Sequence, residues 1–314
     1  MAISEQQIQS ALKQIIDPTT GKDYISTQSV RNIQIDQQHV SIDIELGYPA
    51  NSVKQAIQKQ ITDALHAIPG IEKIQVSVNS KIIPHSAQRG VKLIPGVKNI
   101  IAVASGKGGV GKSATAVNLA LALSAEGASV GILDADIYGP SQPQMLGITQ
   151  HPDSLDGKTM EPVMAHGIQA MSIGLLIDVE TPMVWRGPMV TQALQQLLND
   201  TNWKDLDYLV VDLPPGTGDI QLTLAQKIPV TGAVIVTTPQ DIALLDARKG
   251  LKMFEKVGTM TRCACTGVAG RHRPSSAAWR RRRDSSQRSS NSSASTTHWV
   301  SSSGICPSKR VMRK

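Results

Sequence analysis

Residues 100–114, Ile100-Ile-Ala-Val-Ala-Ser-Gly-Lys-Gly-Gly-Val-Gly-Lys-Ser-Ala114, pass from an apolar run through a glycine turn into a helix-like run that continues to Ala125. The run Ile100 to Ala104 has the length and character of a buried strand. Gly106, Gly111, Lys112 and Ser113 fill the spacing G-x-x-x-x-G-K-[ST] of a phosphate-binding loop. The chemistry explains the spelling. A triphosphate needs several donors converging on its oxygens, and glycines let backbone N–H groups turn inward with no Cβ in the way. The helix that opens behind them adds its positive end. Gly106, Lys107, Gly108, Gly109, Val110, Gly111, Lys112, Ser113 and Ala114 are therefore the candidate nucleotide-binding residues. Lys112 has the reach for the terminal phosphates, and the Ser113 hydroxyl is a candidate Mg²⁺ ligand.

Downstream, two further apolar runs end in carboxylates. Ser129-Val-Gly-Ile-Leu-Asp-Ala-Asp136 follows the first helix and its stop at Gly127, so it reads as the next strand of a right-handed parallel crossover. Asp134 and Asp136, two apart on a strand, are expected to share a face at the sheet's carboxyl edge, where open α/β sheets bind ligands. Asp207-Tyr-Leu-Val-Val-Asp-Leu-Pro-Pro-Gly216 delivers Asp212 to the same edge, where it is placed to bond a water of Mg²⁺. The stiff Pro214-Pro-Gly216 turn beyond it is suited to sensing a γ-phosphate. Gly232-Ala-Val-Ile-Val-Thr-Thr-Pro-Gln240 is a fourth parallel strand, and Ile242 to Val257 an amphipathic helix covering it. Shorter strands are expected in Met160-Glu-Pro-Val163 and Gly167–Gly174, and a helix over Val190–Leu198.

Ahead of this domain, residues 1–80 show the order α-β-β-α-β. Ile8, Leu12, Ile15 and Ile16 lie at helical spacing before Asp17-Pro18. Ile33 and Ile35, then Val40, Ile42, Ile44 and Leu46, alternate as two strands. Val53, Ile57, Ile61 and Leu65 fall on a helix, and Ile74, Val76 and Val78 alternate again. Residues 81–98, with Pro84, Gly90, Pro95 and Gly96, read as a linker, and 99–257 as the phosphate-loop domain. The expected fold class is α/β, a P-loop NTPase with a mostly parallel sheet and flanking helices, preceded by a small α+β domain.

Several of these strings resemble known families. A second lysine directly after the first glycine, in Gly106-Lys-Gly-Gly-Val-Gly-Lys-Ser113, is similar to the deviant phosphate loop of the MinD/ParA and nitrogenase iron-protein group. That resemblance implies a homodimer closing around ATP, with Lys107 reaching the partner's nucleotide. Asp134-Ala-Asp-Ile-Tyr-Gly-Pro-Ser141, Val184-Trp-Arg-Gly-Pro-Met189 and Leu213-Pro-Pro-Gly-Thr-Gly-Asp219 resemble segments of the Mrp-type (ApbC-like) iron–sulfur cluster carrier ATPases. In that likeness Lys107, Lys112 and Asp136 are catalytic, Asp136 orients the attacking water, and recipient apoproteins are the partners. Arg186 reads either as a phosphate contact or as a solvated loop residue. Asp17-Pro-Thr-Thr-Gly-Lys-Asp23 and the element order around it look like the small domain of iron–sulfur assembly factors, or simply a helix stop and turn. A ParA/MinD-like positioning ATPase binding DNA is the alternative, disfavoured by the N-terminal domain and by Tyr138-Gly-Pro-Ser141.

The resemblance breaks near Gly258. The carriers continue into a strand, an Asn segment and a C-x-x-C pair that holds a [4Fe–4S] cluster between subunits. Here the chain turns to Ser and Arg, with Arg280–Arg283 in sequence, and its only cysteines are Cys263 and Cys265 in C-x-C and an isolated Cys306. Residues 261–314 hold 12 Lys or Arg and one acidic residue, +11, within a whole-chain charge of +7. Residues 258–314 are thus expected to be a disordered basic tail. It arises from a shifted reading frame, which would make a non-functional truncated product, or it is a genuine arm for nucleic acid, or a rearranged metal site on Cys263 and Cys265. Three cysteines in a chain without a secretion signal argue against a disulfide framework. No apolar run approaches the roughly 18 residues of a membrane span, so a cytoplasmic protein with no membrane partner is expected.

Overall fold

Ser4 and Gln7 start the first helix. The Ser4 hydroxyl accepts from the Gln7 N–H at 3.3 Å while the Gln7 side chain accepts from the Ser4 N–H at 3.1 Å, a capping box for α1 (Glu5–Gln14). The computed structural model describes residues 3–85, 91–154, 156–176, 187–256 and 259–265, with the backbone alone at 187–188, 219–220 and 260–265. The chain divides into two units between Ile83 and Pro84. In the first, β1 (Val30–Asp36) and β2 (His39–Leu46) form an antiparallel hairpin. After α2 (Lys54–His66), β3 (Lys73–Ser80) pairs parallel to β2, giving the order β1-β2-β3. The alternating Val40, Ile42, Ile44 and Leu46 are buried together with Ile8 and Leu12 of α1 and Ile57, Ile61 and Leu65 of α2. The helical stripe is shorter than expected. α1 stops at Gln14, so Ile16 falls outside it and is 51% exposed. Asp17 fastens the following loop, accepting from the Thr19 N–H, the Thr20 hydroxyl and the Tyr48 hydroxyl.

The second unit is a seven-stranded sheet. Its elements are β4 (Val97–Ser105), α3 (Lys112–Ala125), β5 (Val130–Asp134), α4 (Gln142–Leu146), β6 (Val163–Ala165), β7 (Ile168–Ser172), α5 (Gly187–Asn199), β8 (Leu206–Asp212), α6 (Asp219–Lys227), β9 (Gly232–Thr237), α7 (Asp241–Lys256) and β10 (Met260–Cys265). The order is β10-β9-β4-β8-β5-β7-β6, and every neighbouring pair is parallel except β6 with β7. Such a sheet must be covered on both faces. Val103, Ile132, Val210 and Val236 pack with Ala116, Val117 and Ala120 of α3 on one side. Ala102, Leu133, Leu209 and Val211 pack with residues of α5, α6 and α7 on the other. β4 begins at Val97, inside the stretch read as linker; residues 86–90 of that linker and Arg186 lie outside the described residues. Among the described residues no helix is long and apolar enough to cross a membrane.

One expectation needs correction. The sequence reading ends regular structure at residue 257, yet Met260–Cys265 forms β10, in register with β9 from Met260↔Gly232 to Cys265↔Thr237. An edge strand of a parallel sheet is held by its backbone ladder. Met-Thr-Arg-Cys-Ala-Cys carries no apolar stripe, so hydrophobic periodicity does not report it.

β5 runs close to the segment that leads into β8. A Cβ on Gly131 would lie 2.5 Å from Leu206 Cδ1 and 3.1 Å from Trp203 Cζ3. Gly131→Ala is therefore expected to destabilise the protein by about 1–3 kcal/mol through overpacking. A lowered denaturation midpoint with an unchanged denaturant slope checks it.

Candidate nucleotide and metal site

The sheet brings three segments to one edge. β4 ends at Ser105 and runs into the glycine turn, where Gly109 (φ 74°) and Gly111 (φ 85°) adopt the left-handed backbone that suits glycine. Gly106 has a different reason to be glycine: a Cβ there would lie 2.7 Å from Asp246 Cβ on α7. Gly108 and Gly109 face open space, and Lys107 is exposed. β5 and β8 are neighbours in register, with Asp134 opposite Asp212, so both strands present a carboxylate at the same level.

At that level the groups converge. Lys112 Nζ lies 2.6 Å from Asp212 Oδ1, 3.6 Å from Asp136 Oδ2 and 3.2 Å from the Ser113 hydroxyl. Lys112 is 6% exposed and Asp212 fully buried. Lys112, Ser113, Asp136 and Asp212 thus share one site, while Lys107, Gly108, Gly109 and Ala114 lie on its exposed side. One lysine among two carboxylates leaves net negative charge. Burial raises the Asp136 pKa, partly offset by Lys112, with Asp212 pushing it further up.

Asp134 and Asp136 differ in their partners. β5 ends at Asp134, so the alternation stops there and Asp136 enters a turn closed by the Gly139 N–H on its carbonyl. Asp134 points inward. Its Oδ1 accepts from the Asp136 N–H, and its Oδ2 accepts from the Ser141 N–H at 2.9 Å, the Gln142 N–H at 3.0 Å and the Ser172 hydroxyl. It anchors the segment that carries Asp136. On the far side, the Leu213 N–H donates to the Val103 carbonyl, the Gly216 N–H to the Ser105 carbonyl, and Gln221 Nε2 to the Pro214 carbonyl. The Pro-Pro-Gly turn is thereby tied to the strand that feeds the glycine loop.

Sequence reasoning missed Gln142. Its Nε2 donates to Asp212 Oδ2 at 3.0 Å and to the Ser113 carbonyl at 3.1 Å, while its Oε1 is buried with no partner among the described residues. No spacing rule marks such an amide; only the fold places it. A serine hydroxyl, two carboxylates and an unfilled buried acceptor fit a hydrated divalent cation, whose waters donate hydrogen bonds and whose charge offsets the carboxylates. For iron–sulfur ligands the position differs. Among the described residues no group of three or more His, Cys, Asp or Glu could hold a metal. Cys263 and Cys265 lie on β10, and Cys306 lies outside the described residues.

Burial also makes one pH dependence. It raises Asp134 to about 6, against the donated N–H of Gln142. A folded-state pKa above the unfolded one means the folded form holds the proton more tightly, so stability is full at low pH and falls as pH rises through about 6. Asp134→Asn should remove this fall, of order 1–3 kcal/mol. Urea unfolding at pH 4.5 and 7.5 is expected to show a smaller pH difference for the variant.

A solved nucleotide-binding protein from Archaeoglobus fulgidus in complex with ADP is 39% identical, with a TM-score of 0.47 over 53% of this chain and 65% of that one. An iron–sulfur cluster carrier protein of Haemophilus influenzae is 51% identical over 257 residues, 82% of this chain and 70% of that protein. Those of Pseudomonas fragi and Escherichia coli K12 are 63% and 53% identical, over 62% and 76% of this chain and 68% and 65% of theirs. The chain thus spans about two thirds of the length of the curated relatives it matches. The family model FeS_assembly_P, iron–sulfur cluster assembly protein, matches residues 5–78. The ParA model, described as NUBPL iron-transfer P-loop NTPase, matches residues 96–268. With more than half its length inside that model, the chain belongs to the NUBPL-type iron-transfer P-loop NTPase family.

Proposed function

We propose that the chain performs the nucleotide-driven part of an iron–sulfur cluster carrier: it binds ATP with Mg²⁺, hydrolyses it slowly, and couples that cycle to opening and closing of a homodimer that passes clusters to apoproteins. The observation that supports this reading best is the convergence of Lys112, Ser113, Asp136 and Asp212 at the carboxyl edge beside the glycine loop. Lys112, held between two carboxylates, is placed to change partners. As ATP enters, Lys112 leaves Asp212 for the phosphate oxygens, while the backbone N–H groups of the loop and the start of α3 grip the polyphosphate. Ser113 and Asp212 would hold Mg²⁺ and its waters, and the bound ion supplies charge neutralisation on the phosphates. Asp136 orients a water for attack, at the end of a segment anchored by Asp134. Lys107, exposed on the loop, acts on the nucleotide of a second copy.

The cluster is cargo in this reading, and the sequence has no C-x-x-C to hold it. A DNA-positioning ATPase is the weaker reading, because residues 5–78 match an iron–sulfur assembly domain. The cytoplasm is the proposed compartment.

Two variants separate binding from turnover. Lys112→Ala is expected to weaken Mg²⁺–ATP binding by about 10–100-fold, since it removes charge-assisted hydrogen bonds to phosphate. Lys107→Ala should leave the melting temperature and the nucleotide affinity of the monomer near wild type while hydrolysis falls by at least about tenfold. Equilibrium binding of a fluorescent nucleotide and phosphate release measure these; undiminished binding by the Lys112 variant sinks the reading.

A further inference from the structure

Gln142 belongs to none of the motifs that mark the site, yet it is 1% exposed. It is the first residue of α4, and its backbone N–H is fixed by Asp134 Oδ2 at 3.0 Å. Its side-chain Nε2 faces two acceptors, Asp212 Oδ2 and the Ser113 carbonyl. Two acceptors on one end of an amide settle which end is nitrogen. Oε1 is therefore an acceptor, and it is buried with no donor among the described residues. A buried oxygen left so is costly, and it calls for a donor that arrives with a ligand.

The Asp212 carboxylate is shared between two residues, Oδ1 with Lys112 and Oδ2 with Gln142. Once Lys112 turns to phosphate, Oδ1 is released. Oδ2 stays tethered, so the carboxylate cannot swing about its terminal torsion, which is intrinsically broad. The same amide ties the segment carrying Asp136 to the first turn of α3, through the Ser113 carbonyl.

We propose that Gln142 is a positioning residue of the Mg²⁺–nucleotide site: its Nε2 keeps Asp212 aimed while Lys112 changes partners, and its Oε1 accepts a hydrogen bond from the cation's water shell. This rests on the reading of Asp212 as the residue that holds the metal's waters.

The test titrates Mg²⁺ against the full chain with a fluorescent ADP analogue at fixed concentration, for wild type, Gln142→Met and Gln142→Asn. Methionine fills the same volume without hydrogen bonds, and asparagine keeps an amide too short to span both acceptors. Both variants are expected to raise the half-saturating Mg²⁺ by about tenfold, the loss of one charge-assisted hydrogen bond. Binding in excess EDTA should stay within about twofold of wild type. A purely structural role would weaken binding equally with and without Mg²⁺, and that result overturns the inference. So does an unchanged Mg²⁺ requirement in either folded variant. Wild-type protein that binds the analogue with no Mg²⁺ dependence overturns the inference and the metal role of Asp212 together, whereas normal wild-type behaviour with silent variants removes Gln142 alone.

Discussion

The buried pair between Lys112 and Asp212 is the interaction on which the second unit turns. Removing an ammonium and a carboxylate from water costs several kcal/mol each, and only close geometry with further hydrogen bonds repays it. Here the contact is 2.6 Å, Asp136 stands 3.6 Å from the same nitrogen, and Gln142 occupies the other oxygen of Asp212. Losing one partner of such a pair leaves a buried charge and costs about 3–5 kcal/mol. The ion pair therefore holds the start of α3 against the end of β8, and with them the glycine loop against the sheet edge.

The sheet makes that pair possible through register. β4, β8 and β5 are adjacent and parallel, and Asp212 lies level with Val103 on one side and Asp134 on the other. Parallel strands end together, so three loops open at one edge. Close approach then sets what each may contain. Gly131 admits Leu206 and Trp203 to the sheet face, and Gly106 admits α7 to the base of the loop. Larger side chains at either would force apart elements that must meet for the charges to converge. Asp134 spends three of its four acceptor contacts on the segment that presents Asp136 and the fourth on the Ser172 hydroxyl at the end of β7.

The first unit follows a different logic. Its central strand β2 buries one full face of alternating aliphatics under two helices. Its loop after α1 is built on Asp17, 2% exposed, with two hydroxyls and a backbone N–H as donors. It contains no cysteine, so it offers no thiolate to a cluster. Residues 5–78 of it match the iron–sulfur cluster assembly family model.

The amino-acid sequence alone determined the phosphate loop, the parallel α/β unit and the small unit ahead of it. Those rest on local signals: glycines where a backbone must turn, a lysine and serine at fixed distance, apolar runs ending in aspartate, and alternation in β2. That Lys112, Ser113 and Asp212 meet at one sheet edge is legible for the same reason. The tertiary structure alone decided the rest. β5 ends between Asp134 and Asp136, a boundary that alternation cannot locate. Met260–Cys265 becomes a strand because β9 offers it a ladder, which no stripe in that segment announces. Gln142 enters the site because α4 packs against α3, which brings its amide to Asp212 and the Ser113 carbonyl. A neutral amide has no pattern of its own, and its importance lies wholly in what surrounds it.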